Sequence, residues 1–246
     1  MLALPLYDDT PKSSPPVMTL TLIGTCAAVF LWQLGLPPRQ QNAYAFALGI
    51  VPSVLFGHAQ LAHGLALVPP WATIFTSMFM HGGWLHILGN MLYLWLFGKG
   101  VESALGPARF LIFYLVCGVI AALTQALIDP LSDVPIIGAS GAIAGVLGAY
   151  LVLHPRGHVV VLFWLFIFVR LIAVPAVILL GLWFLIQLAS ALDATQGEAG
   201  VAFWAHVGGF IAGMILVPLF RRRGVQLFQP PRSVSFRAVP RRGPWG

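Results

Sequence analysis

Long apolar runs, separated by short polar breaks or breaks rich in Gly and Pro, fill the chain between residues 17 and 220. Six of these runs approach the roughly 20 residues that a helix needs to cross a bilayer. They predict helices at 17–36, 84–101, 107–128, 137–153, 172–191 and 202–220. The pattern therefore predicts an all-α membrane protein: an N-terminal cytoplasmic tail at 1–16, a six-helix membrane domain at 17–220 and a C-terminal tail at 221–246.

A further apolar run, VVVLFWLFIF at 159–168, does not fit this series. Pro155 and Gly157 precede it, and Arg170 and Pro175 follow it. Because ten residues are too few to span a bilayer as a helix, we expect buried or interfacial backbone that leads into the fifth helix.

Composition agrees with a polytopic membrane protein, since 59% of the 246 residues are hydrophobic and only 8% are charged. Cys26 and Cys117 lie in apolar runs without paired spacing, which favours neither a disulfide framework nor a metal site. The first 16 residues have no basic region ahead of an apolar core, so the first run is predicted to be a span and not a cleaved signal peptide.

Basic residues concentrate on one side of the predicted topology. That side carries Lys12, Lys99, Arg109, Arg156, Arg170 and the seven arginines from Arg221 to Arg242, whereas Arg39 is alone on the other. Because cytoplasmic loops hold the Lys and Arg excess, both termini are predicted inside. The basic, Pro-rich tail at 221–246 is predicted to be disordered and to rest on anionic lipid, with no nucleic-acid partner.

Polar side chains inside membrane helices are costly and tend to mark function. Ser140, His206, His86 and Asn90 all fall within the first turns of helices that enter the membrane from the outside. At about 1.5 Å per residue, all four lie within about 10 Å of the outer boundary. Three separate helices therefore deliver a hydroxyl, imidazoles and an amide to one depth.

Glycine spacing predicts which of these helices touch. Gly141, Gly145 and Gly148 recur beside Ser140 at spacings of four and three, and Gly209 and Gly213 lie three and seven residues after His206. Small residues at such spacing let helix backbones approach closely. If the fourth and sixth helices pack through these faces, Ser140 and His206 can come within about 2.6 to 3.2 Å, as an activated hydroxyl requires.

An oxyanion at this position would meet several hydrogen-bond donors. His86 and Asn90 are four residues apart and share one helix face. Ser140 lies near a helix N-terminus, where free N–H groups and the macrodipole favour negative charge. Each residue alone has a simpler structural interpretation, namely helix packing for the serine and interhelical bonding for the histidines. His81 is expected to tie the outer loop to the second helix.

The sequence lacks the residues that other intramembrane enzymes and transporters require. The two glutamates, Glu102 and Glu198, do not lie between paired histidines as a zinc protease requires, and Asp129, Asp133 and Asp193 lie near loops and not at one membrane depth. A proton-coupled transporter would usually have mid-membrane carboxylates, which are missing.

Four motifs in order resemble the rhomboid family of intramembrane serine proteases, over about Trp71 to Gly213. They are HGGWLHILGN, with His-x-x-x-Asn; VESALGPARF, with Glu-x-x-x-Gly; GASG around Ser140; and AHVGGFIAG around His206. The resemblance implies a six-helix bundle that cuts transmembrane protein substrates with a Ser-His dyad and without a cofactor or metal. A dead relative should have lost Ser140 or His206, and this chain keeps both.

The resemblance also implies functional roles for the residues of this sequence that match the family's motifs. Ser140 is implied as nucleophile, His206 as base, and Asn90 and His86 with the Ser140 N–H as the oxyanion hole. Residues implied as structural near the site are His81, Gly138, Gly141, Gly209, Gly213 and Glu102. Two features depart from the family. Ala144 replaces an aromatic residue that often stacks on the catalytic imidazole, and WATIF at 71–75 lacks the family's Trp-Arg pair.

Two other functions stay open at this point. A non-catalytic membrane chaperone or client-binding module could use the same bundle, and a small-molecule transporter could use the same number of spans. The modest length, with no additional soluble domain, favours a bacterial plasma membrane with the site opening outward.

Overall fold

A computed structural model of the chain describes residues 2–10, 15–165, 168–193 and 201–230. All six predicted helices are present, and three short helices lie in the loop after the first. The helices are α1 (Val17–Leu34), α2 (Pro38–Leu48), α3 (Pro52–Leu55), α4 (Thr73–Thr76), α5 (Trp84–Leu105), α6 (Pro107–Ile128), α7 (Ser140–Leu153), α8 (Ala176–Asp193) and α9 (Phe203–Phe220). The predicted helical membrane bundle is confirmed.

By length and composition, four of the described helices can cross a membrane: α1, α6, α8 and α9. Helix α7 is apolar but has only 14 residues, and it is the most central element of the bundle. Twelve of its residues are buried, so its surface is covered by protein and not by lipid.

A three-stranded antiparallel sheet closes one end of the bundle. Its strands are β1 (Leu2–Asp8), β2 (His158–Leu165) and β3 (Phe168–Pro175), in the order β1-β2-β3. The segment predicted only as buried or interfacial backbone at 159–168 thus contributes to a sheet, as does part of the predicted N-terminal tail at 1–16. The fifth predicted helix begins at Ala176 and not at 172. The β-branched Val159, Val160 and Val161 suit a strand, and β2 has a partner on each side.

Buried polar contacts join β1 to the end of α7. The Tyr150 hydroxyl donates to Asp8 Oδ2 at 3.0 Å, and Thr10 Oγ1 donates to the same oxygen. Asp9 Oδ1 accepts the His158 N–H at 2.8 Å, and the His154 ring lies 5.2 Å from the Tyr150 ring. The N-terminal segment is thus part of the folded domain.

Residues 221–230 pack on the same end of the bundle. Arg222 N–H donates to the Ala104 carbonyl at 3.0 Å, and Phe228 N–H donates to the Val152 carbonyl at 2.9 Å. The expectation of a disordered tail is therefore wrong for these residues, and the rest of that tail lies outside the described residues. Both described ends of the chain meet at one end of the bundle, as an even number of passes requires.

Glu102 caps the first helix. Its carboxylate is fully buried and accepts the Met18 N–H at 2.8 Å and the Thr19 N–H at 2.7 Å. These are free donors at the N-terminus of α1, where the helix dipole favours an anion. Glu102 is twelve residues beyond Asn90 on α5, roughly 18 Å at about 1.5 Å per residue. It is therefore structural, but it does not lie near the candidate site.

Helices α7 and α9 meet backbone to backbone through their glycines. A Cβ atom at Gly209 would overlap the Gly141 carbonyl, and one at Gly213 would overlap the Gly145 carbonyl. A Cβ atom at Gly148 would likewise overlap the Phe210 carbonyl. The packing of the fourth and sixth predicted helices through these faces is present in the structure.

Replacing Gly213 by Ala should loosen this crossing. The added methyl group has only backbone to displace, so we expect a loss of about 1 to 3 kcal/mol in the free energy of unfolding. Gly24→Ala is the matched control, because a Cβ atom there meets nothing within 4 Å. Thermal unfolding in one detergent measures both variants, and equal midpoints would contradict the close crossing.

Stability should also fall in mild acid because of His154. Burial lowers the pKa of His154 from 6.5 to about 4, although Asp8 and Asp9 act in the opposite direction. Its contribution is constant above about pH 6.5 and is lost as the pH falls towards 4, where only the unfolded chain gains the proton. Unfolding midpoints between pH 8 and 4 should therefore decline less for His154→Phe, which keeps a ring beside Tyr150. Identical slopes would contradict this.

Candidate active site

A cavity of about 1070 Å³ lies among α5, α7, α8 and α9, at the end of the bundle opposite the sheet. The residues that line it include His86, Asn90, Ser140, Ala144, Trp183, Gln187 and His206. Four residues predicted from separate parts of the sequence therefore face one cavity. These are the serine, the asparagine and two of the three histidines singled out above.

Ser140 is the first residue of α7, which begins there and not at residue 137. Among the described residues neither its N–H nor its hydroxyl has a hydrogen-bond partner. The free N–H follows from the helix start, where donors have no carbonyl one turn back. The Ser140 and His206 side chains are not hydrogen-bonded to each other, and such contacts are often long in substrate-free sites.

Gly138 brings the chain against α5 just before the serine. Its φ of 124° lies in the region that side chains disfavour, and a Cβ atom there would lie 2.6 Å from His86 Nε2. Its N–H donates to the Ser77 carbonyl at 2.9 Å. Only glycine lets the backbone before Ser140 approach His86 this closely.

The surroundings of His86 fix which of its nitrogens carries the proton. The Gly82 N–H donates to His86 Nδ1 at 3.3 Å, so Nδ1 is an acceptor. In a neutral ring the proton then lies on Nε2, the atom that faces Gly138. His86 therefore directs an N–H towards the backbone beside Ser140.

Asn90 supplies a second donor. It is 8% exposed, and its buried Nδ2 has no hydrogen-bond partner. This nitrogen lies 3.8 Å from the position of a Cβ atom on Gly138. Since buried polar groups are almost always paired, an unpaired amide N–H in a cavity indicates a place for a negatively charged or carbonyl oxygen.

His206 is held by α8. Its Nδ1 lies 2.7 Å from Gln187 Oε1, and its ring centroid is 5.9 Å from that of Trp183 at an interplanar angle of 38°. Phe203 adds an edge contact at 6.4 Å. Ala144 on α7 cannot stack on the imidazole as an aromatic residue would. The ring is oriented by side chains of α8 and α9 instead.

His81 was predicted to tie the outer loop to the second predicted helix, but its hydrogen bonds join the loop to α1, whereas a ring contact of 5.2 Å with His86 reaches α5. Its N–H donates to Gln33 Oε1 at 3.0 Å, and Gln33 Nε2 donates to the His81 carbonyl at 3.2 Å. Burial lowers the pKa of His81 to about 4, and the neighbouring His86 acts in the same direction.

The outer loop has a second anchor. Ile50 pairs with Ile136 as an isolated bridge, and Ser53 donates to Asp133. These contacts join the loop to the segment that leads to Ser140, in the absence of the Trp-Arg pair.

Gln187 and Trp183 were not predicted from the sequence. The signal that could have found them is an amide within the apolar run AVILLGLWFLIQLASALD, since polar groups in such runs are costly. Trp183 lies four residues earlier and so on the same helix face.

Comparison with known proteins assigns the chain to one family. The Rhomboid domain profile matches residues 69–223, which include every lining residue named above. The chain belongs to the rhomboid family of multi-pass membrane proteins.

Several curated relatives share this similarity. The chain is 40% identical over 81 residues to the putative rhomboid protease YdcA of Bacillus subtilis, covering 33% of this chain and 40% of that protein. It is 29% identical over 212 residues to the mitochondrial Rhomboid protein 1 of Saccharomyces cerevisiae, covering 83% and 53% respectively. For the chloroplastic Rhomboid-like protein 11 of Arabidopsis thaliana the identity is 28% over 164 residues, covering 63% and 54%. The chain thus spans about half the length of these relatives.

The two buried amides of this region should respond differently to truncation. Asn90→Ala removes an unpaired donor and should leave the unfolding midpoint unchanged or raise it. Gln33→Ala removes two formed hydrogen bonds and leaves the His81 N–H unpaired, at a cost of about 2 kcal/mol. Thermal unfolding in detergent compares the two, and a larger loss for Asn90→Ala would show that its donor is paired after all.

Proposed function

We propose that the protein is an intramembrane serine endopeptidase with Ser140 as nucleophile and His206 as general base. The observation that carries this proposal is the single cavity that holds the serine, the histidine and the unpaired Asn90 donor. Membership of a family that includes named rhomboid proteases supports the reaction type.

In the first half of the reaction, Ser140 Oγ attacks the scissile carbonyl carbon while its proton passes to His206 Nε2. The carbonyl oxygen becomes an oxyanion that accepts hydrogen bonds from Asn90 Nδ2, His86 Nε2 and the Ser140 N–H. Losing one such donor typically costs on the order of 3 kcal/mol of transition-state stabilisation. Collapse breaks the C–N bond, and His206 returns its proton to the leaving amine.

In the second half, a water molecule gives a proton to His206 and attacks the acyl-enzyme. The C–O bond to Ser140 then breaks, His206 returns the proton to Ser140 Oγ, and the carboxylic acid product is released. The site lies at the polar ends of α5, α7 and α9, where water can reach it from one side of the bilayer. Because carbonyls within a helix are already hydrogen-bonded, the substrate must expose a locally unwound segment. We therefore propose transmembrane proteins with Gly, Pro or other helix-weakening residues near the cut.

We place this site on the outer side of the membrane and both termini in the cytoplasm. Arg109, Arg156 and Arg170 lie at the sheet end of the bundle, whereas Asp129 and Asp133 lie at the site end. The excess of basic residues marks the cytoplasmic end. A bacterial plasma membrane is the proposed location.

Labelling with a fluorescent fluorophosphonate tests this function without a known substrate. Wild-type protein in detergent should be labelled, whereas Ser140→Ala and His206→Ala should not be labelled, because the first lacks the nucleophile and the second its base. Asn90→Ala should be labelled about a hundredfold more slowly.

Thermal unfolding of each variant checks that the fold is intact. Labelling of Ser140→Ala at the wild-type rate would overturn the proposal. An unlabelled but folded wild type, confirmed with a second serine-directed probe, would favour a client-binding module.

A further inference from the structure

Gln187 makes a contact that the dyad described above does not account for. Its Oε1 lies 2.7 Å from His206 Nδ1, in the cavity that holds Ser140. Among the described residues, this is the one side-chain hydrogen bond that α8 makes with another helix. Gln187 is thus an amide in an apolar helix, and its one such bond goes to an imidazole. This suggests that Gln187 affects the tautomer and orientation of the His206 ring.

The chemistry of the contact fixes the tautomer of His206. An amide oxygen can only accept, so the proton of the neutral ring must lie on Nδ1. The lone pair is then on Nε2, the atom that has to take the Ser140 proton. With the opposite tautomer, Nε2 would carry a proton already and could not act as a base.

The geometry of α8 supports orientation as well as protonation. Trp183 lies one turn before Gln187 on the same face, and its ring is 5.9 Å from that of His206. The two α8 side chains therefore pack a tilted aromatic ring beside the imidazole and contact one of its nitrogens. Ala144, on α7, has no side chain long enough to do either.

The contact differs from the carboxylate that orients histidine in many serine hydrolases. A glutamine side chain is neutral, so it can be placed among apolar groups without the cost of burying a charge. It holds the ring proton without adding a negative charge next to the base.

We propose that Gln187 is a positioning residue that holds His206 in the Nδ1–H tautomer, with Nε2 directed towards Ser140. This inference rests on the proposed serine-protease function, but the state of the ring can be measured independently of catalysis.

The test is Gln187→Leu, which keeps a side chain of similar volume and removes the acceptor. We expect its maximal rate of fluorophosphonate labelling to fall by about tenfold or more, with the half-saturating probe concentration unchanged, because only proton transfer is affected. Gln187→Glu, which retains an acceptor oxygen, should stay within about threefold of wild type by the same reasoning. Ser190→Ala, one turn further along α8 and outside the cavity lining, is the packing control.

A second readout is the nitrogen NMR spectrum of protein with ¹⁵N-labelled histidine. Seven histidines contribute, and the His206 signals are those missing in His206→Ala. Wild type and Gln187→Glu should show the Nδ1–H pattern for His206, whereas Gln187→Leu should show the opposite tautomer or a mixture.

The outcomes separate the two proposals. An unchanged labelling rate or an unchanged His206 tautomer in folded Gln187→Leu would overturn the role of Gln187 and leave the protease function standing. If the unfolding midpoint of Gln187→Leu fell while both readouts stayed unchanged, the contact would only stabilise the fold. That result would also overturn the proposed role of Gln187. If the wild type is not labelled, the protease function fails, while the spectrum still reports whether Gln187 holds the ring.

Discussion

The close crossing of α7 and α9 is the contact on which the rest of the structure depends. Glycine carbonyls of one helix occupy the space where side chains of the other would be, for instance Gly145 against Gly213. In a bilayer, where lipid competes for apolar surface, such contacts hold helices by close packing and not by expelling water. The crossing sets Ser140 and His206 at one depth, so their placement depends on glycines, which have no side chains.

Hydrogen bonding is distributed unevenly along the bundle. At the sheet end, Glu102 accepts the free donors of α1, and Tyr150 donates to Asp8. At the cavity end, Asn90 Nδ2 and the N–H of Ser140 have no partner among the described residues. Unpaired donors cost folding free energy, and that cost is compensated elsewhere in the fold. The cavity end thus keeps donors that no other described group occupies.

Helix positions were predictable from apolar runs because a bilayer demands continuous helices. The placement of Ser140 and His206 at one cavity was predictable because polar groups in such runs are costly and tend to lie together. The strand at His158–Leu165 was not, since an apolar run of this length suits either a strand or irregular backbone until its partner is known. That partner, β1, is more than 140 residues away. Gln187 could not be paired with His206 for the same reason, since only the packed bundle brings α8 against α9.

Ala144 shows how the bundle compensates a local change. Because Ala144 has only a methyl group, α7 provides no stacking partner for the His206 imidazole. Trp183, Phe203 and Gln187 contact the imidazole instead. A histidine that acts as a base needs a defined tautomer and a defined ring orientation. Side chains from any neighbouring helix can set both. A small residue at position 144 also leaves space in the cavity beside Ser140. The support of the His206 ring therefore comes from α8 and not from α7, while Ser140 and His206 still face the same cavity.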